Sequence, residues 1–198
     1  GRGMIAIIDY GVGNLFSLKS SLAAIGREAV VTGDRAVLRA ASHVILPGVG
    51  GFGDAAARLR AAGMAEAVLE AAAAGKPVLG ICLGMQLLLE RSFEYGEHPG
   101  LGLIPGEVRP IRDVIPAGLA VPHMGWNALR FPAERPRSPI FAALEEGEHV
   151  YFVPAYAGFA FGAGLTAWTA YGPPLTAAVQ RGNVYGTQFH PEKSGDAG

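Results

Sequence analysis

Val78-Leu79-Gly80-Ile81-Cys82-Leu83-Gly84-Met85-Gln86 decides how this chain is read. Four residues of buried-strand character run into a cysteine flanked by glycines, and an apolar helical pattern follows at once. A strand that turns this sharply into a helix leaves no room for side chains beside the turn, so small residues must flank it. Gly80 and Gly84 supply them. The form G-x-nucleophile-x-G presents the Cys82 thiol at a helix N-terminus, where free N–H groups and the dipole favour the thiolate. A lone buried cysteine is otherwise an inert core residue. The two glycines and the strand–helix context outweigh that plainer reading.

Upstream of this turn, strands and helices alternate. Met4 to Ile8 is a short apolar run ending at Asp9-Tyr10-Gly11, as in a buried parallel strand. Asn14 opens a helix with Leu15, Leu18, Leu22 and Ile25 on one face and Gly26 as its C-terminal cap. A strand over 28–32, a short helix after Asp34 and a strand over 43–46 follow. The glycine loop 47–53 leads into an Ala-rich helical stretch that reaches Ala74, is interrupted at Gly63 and is stopped by Gly75-Lys76-Pro77. The strand 78–81 and a helix from Leu83 to Arg91 complete the alternation, which predicts βαβ units and a mostly parallel sheet.

Downstream the helices give way to strands around 106–111, 149–153, 166–171, 177–181 and 184–189, with Gly182-Asn183 as a two-residue hairpin turn. Neither a repeat nor a linker divides the chain. The expected fold is one α/β domain over 1–198, flavodoxin-like, with a mostly parallel central sheet and antiparallel additions from the C-terminal half.

Composition narrows the function classes. Half of the 198 residues are hydrophobic and 17% are charged, which excludes a disordered chain. Sixteen basic against 17 acidic side chains leave a net charge of -1, without the electrostatic footprint of a nucleic-acid binder. One cysteine excludes an internal disulfide and a cysteine-rich zinc site. No apolar run reaches the ~18 residues of a membrane span. Residues 1–3 read as a cloning scar before Met4, and the expectation is a soluble cytoplasmic protein without metal or cofactor.

A nucleophilic cysteine needs a base, and the base needs an orienting partner. Among the five histidines, His190 has the fitting context, in Gln188-Phe189-His190-Pro191-Glu192-Lys193, where a strand ends. Glu192 can reach back to its imidazole, with Pro191 stiffening the bend; a surface His beside a surface Glu is the alternative. His43, His98 and His149 carry no partner pattern and read as structural or solvated. The loop 47–53 can bring backbone N–H groups close to a ligand and, with the N–H of Leu83, complete an oxyanion hole. It lacks the G-x-x-x-x-G-K-[ST] pattern of a phosphate loop. Gly11-Val12-Gly13 reads as tight strand–helix packing, since Phe16 occupies the third glycine position of a dinucleotide fingerprint. Met85, Leu87, Leu88 and Leu89 read as core. Gln86, one helical turn past Cys82, is either a substrate contact or a solvated helix residue.

Pro77-Val-Leu-Gly-Ile-Cys82-Leu-Gly-Met-Gln86, taken with His190-Pro-Glu192, resembles the class I, triad-type glutamine amidotransferases. Ile8-Asp-Tyr-Gly-Val-Gly-Asn14, Val121-Pro-His-Met-Gly-Trp126-Asn127 and Gln188-Phe-His-Pro-Glu-Lys-Ser194 are similar to one branch, the glutaminase subunits of imidazole glycerol phosphate synthases. The resemblance implies that Cys82 attacks the glutamine carboxamide, His190 moves the proton and Glu192 holds the imidazole. It implies oxyanion and substrate contacts from Gly48, Val49, Gly50, Leu83, Gln86, Ala155 and Tyr156. It also implies a barrel-shaped cyclase partner, taken up at Asn14, Trp126, Asn127 and Lys193, which uses the ammonia in histidine biosynthesis. Another glutaminase of the class, serving vitamin B6 or anthranilate synthesis, is the alternative, and the Trp126-Asn127 segment argues against it. A catalytically silent module or a peptidase of the same architecture are further alternatives. Two departures stand out: Pro154-Ala155-Tyr156 replaces the family's His-Ser-Tyr, and the chain stops at Gly198 where the family continues into a helix.

Overall fold

Ile5–Ile8 is buried at every position, and only a strand covered on both faces accommodates four such residues in a row. In this computed structural model, which describes residues 3–113, 125–133, 136–152, 156–160, 164–170 and 174–198, that strand is β1. It is followed by α1 (Leu15–Ala24), β2 (Ala29–Thr32), α2 (Arg35–Ala40), β3 (His43–Leu46), α3 (Phe52–Ala61), α4 (Met64–Ala73), β4 (Val78–Ile81) and α5 (Leu83–Leu88). The Asn14 side chain accepts from Ser17 N at 3.2 Å and caps α1. Gly63, at φ +74, separates α3 from α4.

The second half adds β5 (Arg91–Ser92), β6 (His98–Pro99), β7 (Gly106–Pro110), β8 (Gly125–Ala128), β9 (His149–Phe152), β10 (Tyr156–Ala160), β11 (Leu165–Ala170), β12 (Pro174–Arg181) and β13 (Val184–Thr187). The main sheet has seven strands in the order β11-β12-β13-β4-β3-β1-β2. Its β13-β4-β3-β1-β2 part is parallel, while β11 and β12 are antiparallel additions. This is the doubly wound α/β arrangement expected, and ligands of such sheets gather at the carboxyl ends of the strands. A smaller sheet runs β10-β7-β5-β6, and β8 pairs with β9.

Several expected boundaries shift. The helix from Leu83 ends at Leu88 rather than Arg91, and Leu89 is already extended. The carbonyls of Leu87, Leu88 and Leu89 accept from the N–H groups of residues 101–104, which caps the helix early. Arg91 and Ser92 then pair with β6 and β7. Ile25, the last apolar position of the α1 pattern, is 71% exposed because the helix stops one residue before it. The strand at 106–111 ends at Pro110, where Ile111 opens a 3-10 turn, and the strand at 184–189 ends at Thr187. Strands β5, β6, β8 and β10 were not foreseen. Val153 and Tyr171, the expected ends of two strands, lie outside the described residues, as do the first two residues of the 1–3 segment expected to be a scar.

Candidate active site

The register of two parallel strands brings the site together. Val184 faces Val78 and Thr187 faces Ile81, so β4 and β13 end side by side. The next residue of one strand then bonds to the last of the other: Cys82 N donates to Thr187 O at 2.7 Å. Segments far apart in the chain thus leave the sheet at one place, one carrying Cys82 and the other Gln188-Phe189-His190.

The turn at Cys82 is strained and sterically locked. Cys82 has φ +54 and ψ -112, a region that costs a non-glycine residue about 1–3 kcal/mol. A Cβ on Gly80 would lie 2.6 Å from Gly84 O, and one on Gly84 would lie 1.9 Å from Leu46 O. Both glycines are therefore demanded by backbone approaching backbone. Met85, Leu87 and Leu88 anchor α5 in the core. Burial of each such side chain contributes about 1.5–3 kcal/mol, enough to offset the strain at the cysteine.

Gln188 braces the thiol. Its Nε2 lies 3.8 Å from Cys82 Sγ, while its Oε1 accepts from Gln86 Nε2 at 3.2 Å and from Gly158 N at 3.0 Å. Gln86 is buried, which removes the solvated alternative for it. His190 follows, and a 3-10 turn over Pro191–Lys193 folds Glu192 back so that Oε1 meets His190 Nδ1 at 2.7 Å. Both side chains are nearly closed to solvent, at 3% and 4% exposure. Burial alone lowers the His190 pKa, but the Cys82 thiol and the Glu192 carboxylate outweigh it and push it up to about 9. His190 Nε2 carries no hydrogen bond in this resting geometry. It is the nitrogen left for the thiol or a reacting group.

The loop 47–53 lies over the same turn. Gly48 O accepts the Leu83 N–H at 3.3 Å, and Tyr10 donates its hydroxyl to Pro47 O at 2.7 Å. Gly48 has no room for a Cβ, which would meet Tyr10 Oη at 2.8 Å and Gly84 N at 3.0 Å. Gly50 has φ +94, and Val49 is partly exposed. Gly51 begins α3 without a side-chain cap. Instead the buried Glu94 takes the Phe52 N–H; burial raises its carboxyl pKa, while Phe52 and the His98 ring act the other way.

Sequence reading missed Tyr10, Glu94 and Gln188. Gln188 lies within a quoted segment, but nothing local marks its side chain as turning toward Cys82. Of the expected substrate contacts, Ala155 lies outside the described residues, and Tyr156 is described only as the first residue of β10. Asn14 and Lys193 are exposed, Trp126 is 54% exposed and Asn127 is half-buried. Residues 121–124 of the expected partner segment lie outside the described residues. His43 bonds to Ser42 Oγ, and His149 is exposed at the start of β9. Among the described residues no cluster of three His, Cys, Asp or Glu side chains is placed to hold a metal, and no helix is long and apolar enough to cross a membrane.

A cysteine on a strained strand–helix elbow, faced by a buried His–Glu pair at the carboxyl edge of a parallel sheet, is an arrangement for covalent acyl transfer. The family described as "Glutamine amidotransferase class-I" matches residues 6–198, and the chain belongs to it. The chain is 46% identical to the imidazole glycerol phosphate synthase subunit HisH of Wolinella succinogenes, over 98% of this chain and 95% of that protein. It is 48% identical to the HisH subunit of Lacticaseibacillus casei, over 98% and 91%, and 49% identical to that of Syntrophotalea carbinolica, over 98% and 95%. Among solved structures, a glutamine amidotransferase superposes with TM-score 0.75 at 22% identity, covering 100% of this chain and 94% of the other. PurLQS from Thermotoga maritima superposes with TM-score 0.73 at 22% identity, covering 97% and 89%. At that identity the structural likeness establishes the fold.

Proposed function

We propose that this chain is the glutaminase subunit of an imidazole glycerol phosphate synthase. It hydrolyses glutamine and passes the ammonia to a cyclase partner within a cytoplasmic heterodimer of histidine biosynthesis. One observation carries the chemistry: the Cys82 elbow stands beside His190, whose Nδ1 is held 2.7 Å from Glu192 while Nε2 is unbonded.

The Cys82 thiolate attacks the carboxamide carbon, and the C–N bond breaks as His190 Nε2 gives a proton to the departing ammonia. The thioester that remains is attacked by a water, which loses its proton to His190 and releases glutamate and the thiol. Glu192 keeps the imidazole oriented and stabilises its cationic form. The oxyanion is met by N–H groups of Leu83 and of Val49 or Gly50, with Gln86, Ala155 and Tyr156 holding the substrate. In the resting geometry the Leu83 N–H is occupied by Gly48 O, so the peptide between Gly48 and Val49 must turn before the hole is complete. The four interface residues (Asn14, Trp126, Asn127, Lys193) offer the partner an exposed aromatic, an ammonium and amide groups. Pro154, in place of the family's histidine, has no backbone N–H to offer, which bears on glutamine affinity.

The test is glutamate release by the parent protein and by Cys82→Ser, each alone, with a cyclase subunit, and with cyclase plus its nucleotide ligand. Turnover by the parent and none by the serine variant is expected. Equal turnover by both overturns the assignment of Cys82, and none by the parent under any condition overturns the glutaminase reading.

A further inference from the structure

His190 is joined to the sheet through its backbone as well as through Glu192. Its N–H donates to Tyr151 O at 3.0 Å, on the edge of β9 that faces away from β8. A regular ladder would continue with a backbone carbonyl accepting the Tyr151 N–H. The chain cannot continue that way, because it must turn at Pro191 to bring Glu192 back under the imidazole. Ser194 resolves the conflict. Its hydroxyl accepts the Tyr151 N–H at 3.0 Å and donates to His190 O at 2.6 Å. A hydroxyl can do both at once. Ser194 is 2% exposed, so no solvent stands ready to replace it.

Both backbone groups of Tyr151 are therefore spent on the segment that carries the base. Trp126 lies opposite Tyr151 in the β8–β9 register, with ring centroids 5.9 Å apart in an edge arrangement. The Trp126 ring is half exposed on the other side of the same residue.

We propose that Ser194 is a positioning residue for the catalytic base: its hydroxyl clips His190 to Tyr151 of β9 and lets the chain leave the ladder without releasing it. The proposal rests on the triad reading above. The clip explains how one short turn can carry both the base and its orienting carboxylate without drifting from Cys82, since His190 is held at N–H, at C=O and at Nδ1. It also makes β9 the element through which any force on Trp126 reaches the imidazole.

The experiment uses Ser194→Ala, Ser194→Thr and Ser194→Cys in the full chain. With glutamine and the cyclase partner, the alanine variant is expected to lose roughly 10²-fold in kcat, as for a reacting group displaced by about 1 Å, with KM within about twofold of the parent. Threonine keeps the hydroxyl and restores most of kcat. Cysteine supplies a weaker donor on a somewhat larger side chain and falls between them; its kcat carries the test if the alanine variant does not fold. A second readout needs no glutamine: the rate at which iodoacetamide alkylates Cys82, followed against pH. In the parent a limb belongs to His190 near pH 9, and in Ser194→Ala it moves toward the ordinary histidine value near 6.5. A parent-like kcat and alkylation profile in the alanine variant overturns the proposal, as does a loss confined to KM or a threonine variant as impaired as alanine. If the parent itself turns over no glutamine, the glutaminase reading fails, and the alkylation profiles still decide whether Ser194 positions His190.

Discussion

The amide of Leu83 donates to the carbonyl of Gly48 across 3.3 Å. The first N–H of α5, the best-placed donor for an oxyanion beside Cys82, is therefore already taken. A missing oxyanion donor costs about 10²–10³ in rate. The isolated subunit is expected to hydrolyse glutamine slower than the stimulated complex by at least that order. Glutamate release measured alone and with partner plus nucleotide checks this; full activity of the isolated chain contradicts it. Gly50, at φ +94 with open space around it, follows the peptide that must turn, and a Cβ there strains the loop beside it, so Gly50→Ala is expected to change the stimulated-to-basal ratio without unfolding the protein.

Strain at Cys82 makes a second expectation. Cys82→Gly and Cys82→Ala both remove the thiol and both abolish turnover, but only glycine adopts φ +54 and ψ -112 freely. Glycine is expected to be the more stable of the two by about 1 kcal/mol. Urea unfolding of the pair measures it, and an alanine variant as stable as the glycine one contradicts a strained elbow.

The glycines of the elbow differ from those of the loops. Gly84→Ala places a Cβ 1.9 Å from Leu46 O, with no flexible side chain to give way, and is expected to lose about 3 kcal/mol or more. Gly75→Ala meets nothing within 4 Å and carries only the penalty of φ +81, about 1–2 kcal/mol. Thermal midpoints of the two variants rank them, and the reverse order contradicts the packing at Gly84.

Stability also depends on pH through His190. Its folded pKa is raised to about 9, above the unfolded value near 6.5. The protonated imidazole is thus preferred by the folded state, and its contribution is fully present below pH 6.5 and lost as pH rises through 9. The stability gap between the parent and His190→Gln is expected to narrow across that window. Denaturant midpoints at pH 6, 7.5 and 9.5 measure it; a gap that widens with pH contradicts the Cys82–His190–Glu192 electrostatics.

Trp126 is exposed yet braced edge-on by Tyr151, as an interface anchor would be. Trp126→Ala is expected to leave the thermal midpoint nearly unchanged and to raise the Kd for the cyclase about tenfold or more, the usual effect of truncating a buried aromatic hot spot. Calorimetric titration reads it, and an unchanged Kd removes Trp126 from the interface.

The elbow and the parallel half of the sheet were legible because their causes are local. Val78 to Ile81 can be buried on both faces only in a covered strand, and Gly80 and Gly84 are required by atoms within a few residues or in the adjoining strand. The β12–β13 hairpin was legible for the same reason, since Gly182 at φ +58 marks its own turn. Other features depend on partners far along the chain. Leu83 to Arg91 reads as one helix until the N–H groups of residues 101–104 claim its last carbonyls. Glu94 looks like a loop carboxylate until the uncapped start of α3 is placed beside it. His190 and Glu192 share a short motif, but the motif does not say that β13 runs beside β4 and delivers them to Cys82. Local sterics and hydrophobic spacing were determined by the sequence alone. The pairing of Gln188 with the thiol, the capture of Leu83 N–H by Gly48 and the Ser194 clip on Tyr151 were decided by the tertiary structure, because a hydrogen bond between distant segments leaves no periodic trace in either one.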